Sequence, residues 1–251
     1  MFTLSIDCGG SFIKSAVLDE SGTIHGNERR IPTPYPLSAD SFVQAMVDVV
    51  ASNAPADRIT IGMPGMIRRG VVIHTPHYIN EAGPFSRREP QLVESWKNFD
   101  VQRAVATATG KPVIVMNDAE VHAAGVINGS GLEVVFTLGT GLGSAIFDGG
   151  VLAPHLELSH ATVRSGVWYD HWIGEAERQR IGTALWNRRV RLMVERWRPV
   201  FLWDRLYLGG GNSRLVTDAT RSRLGDDVVI VANNSALFGG KRIWDFSNLH
   251  R

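Results

Sequence analysis

The chain is short of cysteine, of net charge and of long apolar runs, and each shortage removes a class of protein. Its single cysteine, Cys8, leaves no intrachain disulfide and no Cys-rich zinc cluster, so no zinc site is expected, and it suits a reducing cytoplasm. Lys and Arg number 26 against 25 Asp and Glu, so no global field points to nucleic acid or a membrane surface. No apolar run approaches the ~20 residues that a membrane span needs. Met1 leads almost directly into a strand-like segment, without the basic and apolar regions of a signal peptide. The expectation is a cytoplasmic protein with neither a nucleic-acid nor a membrane partner. With 44% hydrophobic and 20% charged residues, its 251 residues suffice for one large globular domain or two smaller lobes.

The most informative stretch is Val134 to His160. A β-branched run, Val134 to Thr137, enters Gly139-Thr140-Gly141-Leu142-Gly143, and Ser144 to Phe147 leaves it toward a turn at Asp148-Gly149-Gly150. Strand, glycine loop, strand and turn describe a hairpin whose glycines let main-chain N–H groups close on an anion, with the Thr140 hydroxyl as a further donor. A dinucleotide fingerprint would need a helix after Gly143, where the sequence reads as strand. The stretch ends in Glu157 and His160, a carboxylate and an imidazole three residues apart, suited to gripping sugar hydroxyls.

The N-terminal half has the same order. Phe2 to Ile6, Phe12 to Leu18 and Thr23 to Ile31 read as three antiparallel strands, and a helix carrying Phe42, Met46, Val49 and Val50 is capped by Ser38 or Asp40. Strands at 58–62 and 71–74 follow, then a long polar loop over 75–100, a helix over 101–109 and a strand over 113–116. In the C-terminal half the pattern predicts strands at 134–138, 144–147, 151–153, 205–208 and 228–231, with helices over 175–197 and 214–224. Ser15-Ala16-Val17-Leu18-Asp19 and Ser144-Ala145-Ile146-Phe147-Asp148 occupy the same place after a glycine loop. A duplicated α/β lobe follows, with boundaries expected at 1–116 and 117–251, a cleft between the two glycine loops, and a last helix able to pack back on the first lobe.

Asp7-Cys8-Gly9-Gly10-Ser11 with Lys14 has what phosphate handling requires. Gly9 and Gly10 free the backbone, Ser11 donates, Lys14 brings positive charge, and Asp7 can position a hydrated Mg2+. Ile13 stands where a Walker A loop needs glycine, and a plain glycine turn is the competing reading. Gly209-Gly210-Gly211 precedes a predicted helix, whose N-terminus a flat or anionic group could approach. Asn117-Asp118 ends a strand and opens a helix; either residue serves as an N-cap, and Asp118 can accept a hydroxyl proton. Seven arginines between Arg178 and Arg198 read first as a solvated helix face and second as a track for polyphosphate.

Taken together, IDCGGSFIKSAVLD, IGMPGMI, VMNDAEVHAAG, FTLGTGLGSAIFDGG, ELSH and LYLGGGNSRLV resemble, in order, the motifs of the ROK (repressor, open reading frame, kinase) family of sugar kinases, and most of all its polyphosphate glucokinase branch. The resemblance implies an α/β, actin-like ATPase (ribonuclease H-like) fold and a homodimer. It implies phosphoryl transfer from ATP or polyphosphate, with Mg2+, to the 6-hydroxyl of a hexose, glucose first. By the same resemblance Asp7, Gly9, Gly10, Ser11 and Lys14 form the first phosphate motif, and Gly139, Thr140, Gly141 and Gly143 the second. Gly210 and Gly211 fall on the nucleotide side. Asp118 matches the catalytic base, Asn117, Glu157 and His160 match sugar contacts, and Gly65 lies beneath the sugar. Ser159 stands where the family's ExGH motif has glycine, and 77–97 matches poorly. These departures keep a non-catalytic sugar or nucleotide sensor of the same fold as the alternative. Repressor members carry an N-terminal helix-turn-helix ahead of the first phosphate strand.

Overall fold

The computed structural model describes residues 1–84, 86–231 and 235–247. Two compact units account for them, Met1–Gly125 with Ala236–Arg251, and Val126–Ser235. The division falls after Gly125 rather than after residue 116, because the helix that begins at Asp118 packs on the sheet of the first unit.

In the first unit β1 (Thr3–Cys8), β2 (Phe12–Leu18) and β3 (Ile24–Pro32) run antiparallel, as their alternation predicts. They are followed by α1 (Ala39–Ser52), β4 (Arg58–Met63), a small hairpin of β5 (Met66–Arg68) and β6 (Val71–His74), α2 (Pro90–Trp96), α3 (Val101–Thr109), β7 (Val113–Asn117) and α4 (Asp118–Ala124). β4 lies parallel to both β1 and β7, giving the order β3-β2-β1-β4-β7. The period of two along β1 sends Leu4, Ile6 and Cys8 into the core with Phe42, Met46 and Val49 of α1, and sends Ser5 and Asp7 to the opposite face. Ser38 starts α1 by accepting from the Ser41 N–H at 3.2 Å, and Gly110 ends α3 in the left-handed region.

In the second unit come β8 (Leu132–Leu138), β9 (Leu142–Asp148), β10 (Val151–Leu152), β11 (Thr162–Arg164), β12 (Val167–Trp168), α5 (Tyr169–Ile173), α6 (Glu175–Ile181), α7 (Thr183–Phe201), β13 (Arg205–Gly209), α8 (Asp218–Arg221) and β14 (Val228–Ile230). Val134, Phe136 and Leu138 of β8 pack with Trp186, Val190, Met193 and Val194 of α7. The sheet order, β10-β9-β8-β13-β14, repeats that of the first unit strand for strand. The helix predicted over 175–197 is two helices, broken where Gly182 takes φ +81°. The helix predicted over 214–224 is reduced to a 3-10 turn at Ser213–Leu215 and the single turn of α8.

The closing helix, α9 (Ser235–Ser247), belongs to the first unit. The Thr60 hydroxyl donates to the Gly240 carbonyl at 2.6 Å, and Trp244 Nε1 donates to the same hydroxyl at 2.8 Å. No helix of the described residues is long and apolar enough to cross a membrane.

Candidate active site

The first glycine loop closes on itself. The Gly9 N–H donates to the Phe12 carbonyl at 2.9 Å, and Thr33 fastens the loop to β3, its hydroxyl on Gly9 O at 2.9 Å and its N–H on Ser11 O at 3.0 Å. The N–H groups of Gly10 and Ser11 donate to nothing among the described residues. They are the pair available to an anion, whereas the Gly9 N–H closes the turn. Asp7 and Lys14 sit opposite each other across β1 and β2, with Lys14 Nζ 3.3 Å from Asp7 Oδ2. Both side chains are partly accessible, so the pair guards the loop without being sealed in it.

Gly10 has a neighbour that the sequence did not suggest. A Cβ there would lie 2.6 Å from Pro84 Cγ and 3.2 Å from His77 Cδ2, so the missing side chain makes room for the 77–84 segment as well as for a ligand. Cys8 is fully buried; burial first, then the charges of Asp7 and Asp118, pushes its thiol well above the ordinary range. It is a buried packing residue whose thiol burial and the two carboxylates keep protonated.

At the corner between β7 and α4 the cap is Asn117. Asn117 Oδ1 accepts from the Ala119 N–H at 2.8 Å, and Glu120 Oε2 accepts from the Asn117 N–H at 3.1 Å, which is a capping box. Asn117 Nδ2 donates to the Gly65 carbonyl at 2.8 Å. Asn117 is therefore cap and staple at once, keeping a second amide hydrogen and a second Oδ1 lone pair, and it brings the Gly65 turn to Asp118. Gly65 itself has φ +114°, and a Cβ there would lie 2.8 Å from Thr75 Cα. One turn along α4, His122 is 4% exposed with Nε2 unpaired among the described residues; burial pulls its pKa down, while Asp7 raises it and Lys14 lowers it.

In the second unit, the Gly139 N–H donates to the Gly141 carbonyl at 3.1 Å, leaving the N–H groups of Thr140 and Gly141 without acceptors among the described residues. Each loop thus offers two adjacent amides. Gly143 pairs with Thr137 inside the hairpin. The loop is tied from behind by Asp170 of α5, whose Oδ1 accepts from the Leu142 N–H at 3.0 Å and occupies the space where a Gly141 side chain would stand. Asp170 carried no signal in the sequence, since 28 residues separate it from its partner.

The loop of Gly210 and Gly211 lies beside this one. The Asn212 N–H donates to Leu138 O at 2.9 Å, and Asn212 Nδ2 reaches Glu175 Oε2 at 2.7 Å. Gly210, at φ +82°, is pressed against the Leu138 backbone, so its lack of a side chain serves packing. The expected helix N-terminus is absent here. Only the 3-10 turn follows, too short to sum a useful dipole.

Glu157 opens a second 3-10 turn, Leu158–His160. Ser159 donates its hydroxyl to Glu157 Oε1 at 2.5 Å, and His155 Nε2 lies 3.5 Å from Oε2. Burial pushes the Glu157 carboxyl up, but the hydrogen bonds from His155 and Ser159 and the nearby His160 outweigh it, and the group stays below its ordinary range. Ser159 braces this carboxylate and leaves it ionised. His160 is exposed, its ring 5.1 Å from that of Trp168.

Most of the arginines on α6 and α7 are already neutralised. Arg178 pairs with Glu175, Arg180 and Arg189 with Glu177, Arg191 with Glu195, and Arg198 with Asp227. The solvated-face reading accounts for them better than a polyanion track. Among the described residues, no three His, Cys, Asp or Glu side chains are gathered to hold a metal ion directly.

Two α/β units with one repeated strand order, each bearing a glycine turn with two exposed amides, define a protein of the actin-like ATPase class. The ROK family model matches residues 3–154, more than half of the chain, and the chain belongs to the ROK family. It is 26% identical over 220 residues to polyphosphate glucokinase of Mycobacterium tuberculosis, covering 82% of this chain and 76% of that one. Its fold matches the inorganic polyphosphate/ATP-glucomannokinase from Arthrobacter sp. strain KM with a TM-score of 0.78, at 28% identity over 99% of both chains. A ROK family glucokinase from Streptomyces griseus, in complex with glucose and AMPPNP, shares the fold with a TM-score of 0.72 at 20% identity, over 97% of this chain and 99% of that one.

Proposed function

We propose that this chain is a hexose kinase, transferring the terminal phosphoryl group of ATP or inorganic polyphosphate to the 6-hydroxyl of a hexose, glucose first. The observation that carries this reading is the Asn117–Asp118 corner. Asn117 caps α4 and holds the Gly65 carbonyl, which sets Asp118 at the C-terminal end of β7 beside the Gly65 turn. A carboxylate placed there is suited to take the proton of an attacking hydroxyl. As the hydroxyl oxygen bonds to phosphorus, the bond from phosphorus to the leaving phosphate breaks and Asp118 receives the proton.

The remaining roles follow from chemistry and from the relatives. Gly10, Ser11 and Lys14 take donor phosphate in the first unit; Thr140 and Gly141 do so in the second, with Gly139 and Gly143 shaping the turn and Gly210 and Gly211 beside it. Glu157 and His160 contact sugar hydroxyls. Magnesium asks for one or two carboxylates, its own waters and substrate phosphate, and Asp7 beside the open Gly10 and Ser11 amides fits that requirement through water. When bound, the ion neutralises charge on the transferred group. Use of either donor is supported by the Mycobacterium and Arthrobacter proteins, whose names carry polyphosphate. A homodimer remains the family expectation.

The test is a coupled assay crossing a panel of hexoses with ATP and polyphosphate. Asp118→Asn should lower turnover by roughly two orders of magnitude or more while calorimetric sugar binding stays nearly intact; full activity in that variant removes the mechanism. The second reading, a sugar sensor, draws on Glu157, whose two oxygens already meet Ser159 and His155. Sugar binding with no phosphorylation from either donor would favour it.

A further inference from the structure

Residues 74–78 run between the two parts of the first unit that the proposed reaction needs. At one end they lie on the acceptor turn: Thr75 Cα is 2.8 Å from the Cβ position of Gly65, the residue that Asn117 staples to Asp118. The Thr75 hydroxyl is buried there and has no partner among the described residues. At the other end they lie on the phosphate loop. Tyr78 is buried with its ring 5.8 Å from Phe42 and 5.6 Å from Trp96, and its hydroxyl donates to the Cys8 carbonyl at 3.3 Å. Between these fixed points His77 sets its Cδ2 edge 3.2 Å from the Cβ position of Gly10, whose N–H is open.

We infer that His77 touches the phosphoryl group in transit, donating a hydrogen bond from Nε2 to one of its non-bridging oxygens. In imidazole Cδ2 is bonded to Nε2, so the ring atom nearest Gly10 is one bond from this nitrogen. An oxyanion accepting from the Gly10 and Ser11 amides stands ~3 Å from those nitrogens, within reach of a donor packed against that loop. A group moving from the phosphate loop to an acceptor held over Gly65 passes the segment that touches both. Charge develops on its equatorial oxygens as it moves, and a donor fixed by its neighbours stabilises that charge without reorganising. Asp118 alone takes the hydroxyl proton; the His77 proton stays on the imidazole throughout.

This inference rests on the proposed kinase reading, and the experiment separates the two. Wild type, His77→Ala and His77→Gln of the full chain are compared for glucose phosphorylation, for calorimetric binding of tripolyphosphate, and for thermal midpoint. The alanine variant should lose roughly 30-fold in kcat with the KM for glucose changed less than about 3-fold, and should bind tripolyphosphate roughly 10-fold more weakly. The glutamine variant, whose amide can donate from the Nε2 position, should recover most of both. If wild type phosphorylates no hexose, the kinase reading fails, while weaker tripolyphosphate binding by His77→Ala at an unchanged midpoint still supports the phosphate contact. Unchanged tripolyphosphate binding in the alanine variant overturns the inference. So does a loss of activity shared equally by alanine and glutamine, which marks His77 as packing for Gly10. Should the alanine variant fail to fold, the glutamine variant at wild-type midpoint decides: near wild-type binding and turnover support the contact, and alanine-like loss of both overturns it.

Discussion

The two glycine loops occupy the same place in two sheets of the same strand order, yet they carry different chemistry. In the first unit the pair next to the closing pair of the hairpin is Asp7 opposite Lys14; in the second it is Thr137 opposite Gly143. The alignment is fixed by the echoed segments, since Ser15 faces Ile6 on β1 and Ser144 faces Phe136 on β8. Each loop presents two open amides, but only the first backs them with a charged pair, whereas the second is fastened from behind by Asp170, Glu175 and Asn212. The two hairpins share the backbone device, and the charged pair stands on one of them. Each loop can hold phosphate oxygens by backbone dipoles, and only the first adds a charged pair to neutralise them.

The sharpest way to break this comparison is to remove the charge. Lys14→Met should lower hexose phosphorylation by roughly 100-fold or more, because the loop keeps its amides and loses the Lys14 cation. Thr137→Val, in the matching pair of the second hairpin, where Thr137 stands at the place of Asp7, should cost about 3-fold or less. Steady-state rates on the two purified variants decide. Similar losses at both positions would mean that the loops share the work equally.

A gentler test separates glycines that serve a ligand from glycines that serve the fold. A Cβ on Gly139 meets nothing within 4 Å, whereas one on Gly210 would be driven into the Leu138 backbone at φ +82°. Gly139→Ala should therefore change stability by less than ~0.5 kcal/mol while raising the donor KM about 10-fold. Gly210→Ala should destabilise by about 2 kcal/mol or more in denaturant titration, since it combines a left-handed backbone with a clash. Wild-type donor KM in Gly139→Ala would take that residue out of the phosphate site.

Local pattern made much of this architecture readable. The strand alternation, the Ser38 cap, the Gly110 stop and the five-residue echo each act within a few residues, and each reappears in the structure. Contacts across long separations were opaque. Nothing in the sequence says that His77 lies on Gly10, that Asp170 fills the space beside Gly141, or that Glu175 reaches Asn212. Two local readings also gave way to packing. The helix over 175–197 breaks at Gly182, and the loop after β13 leads into a 3-10 turn because Asn212 and Ser213 bond back to Leu138 and Gly210. For Asn117 the two competing roles were both visible in the sequence, and only the bond to Gly65 showed how much of the side chain the fold already uses.

The smallest expected effect concerns what holds the second loop. Arg178 donates two hydrogen bonds to Glu175, and Gln179 and Asn212 add one each, which together lower its carboxyl from 4.5 to about 2 against a smaller push from burial. A carboxyl whose folded pKa is depressed contributes stability above its unfolded pKa and loses it as pH falls through the folded one. Here that window runs from about pH 4.5 down to about 2. The first loop is fastened by the Thr33 hydroxyl, which does not titrate in this range. Acid should therefore loosen the second loop and spare the fastening of the first. Comparing the denaturant midpoints of wild type and Glu175→Gln isolates the effect from the other carboxylates. The midpoints should differ modestly at pH 7, because the pair is partly exposed and screened, and should converge as pH falls from 4.5 toward 3. A gap that stays constant over that range would assign the contribution of Glu175 to packing rather than to its charge.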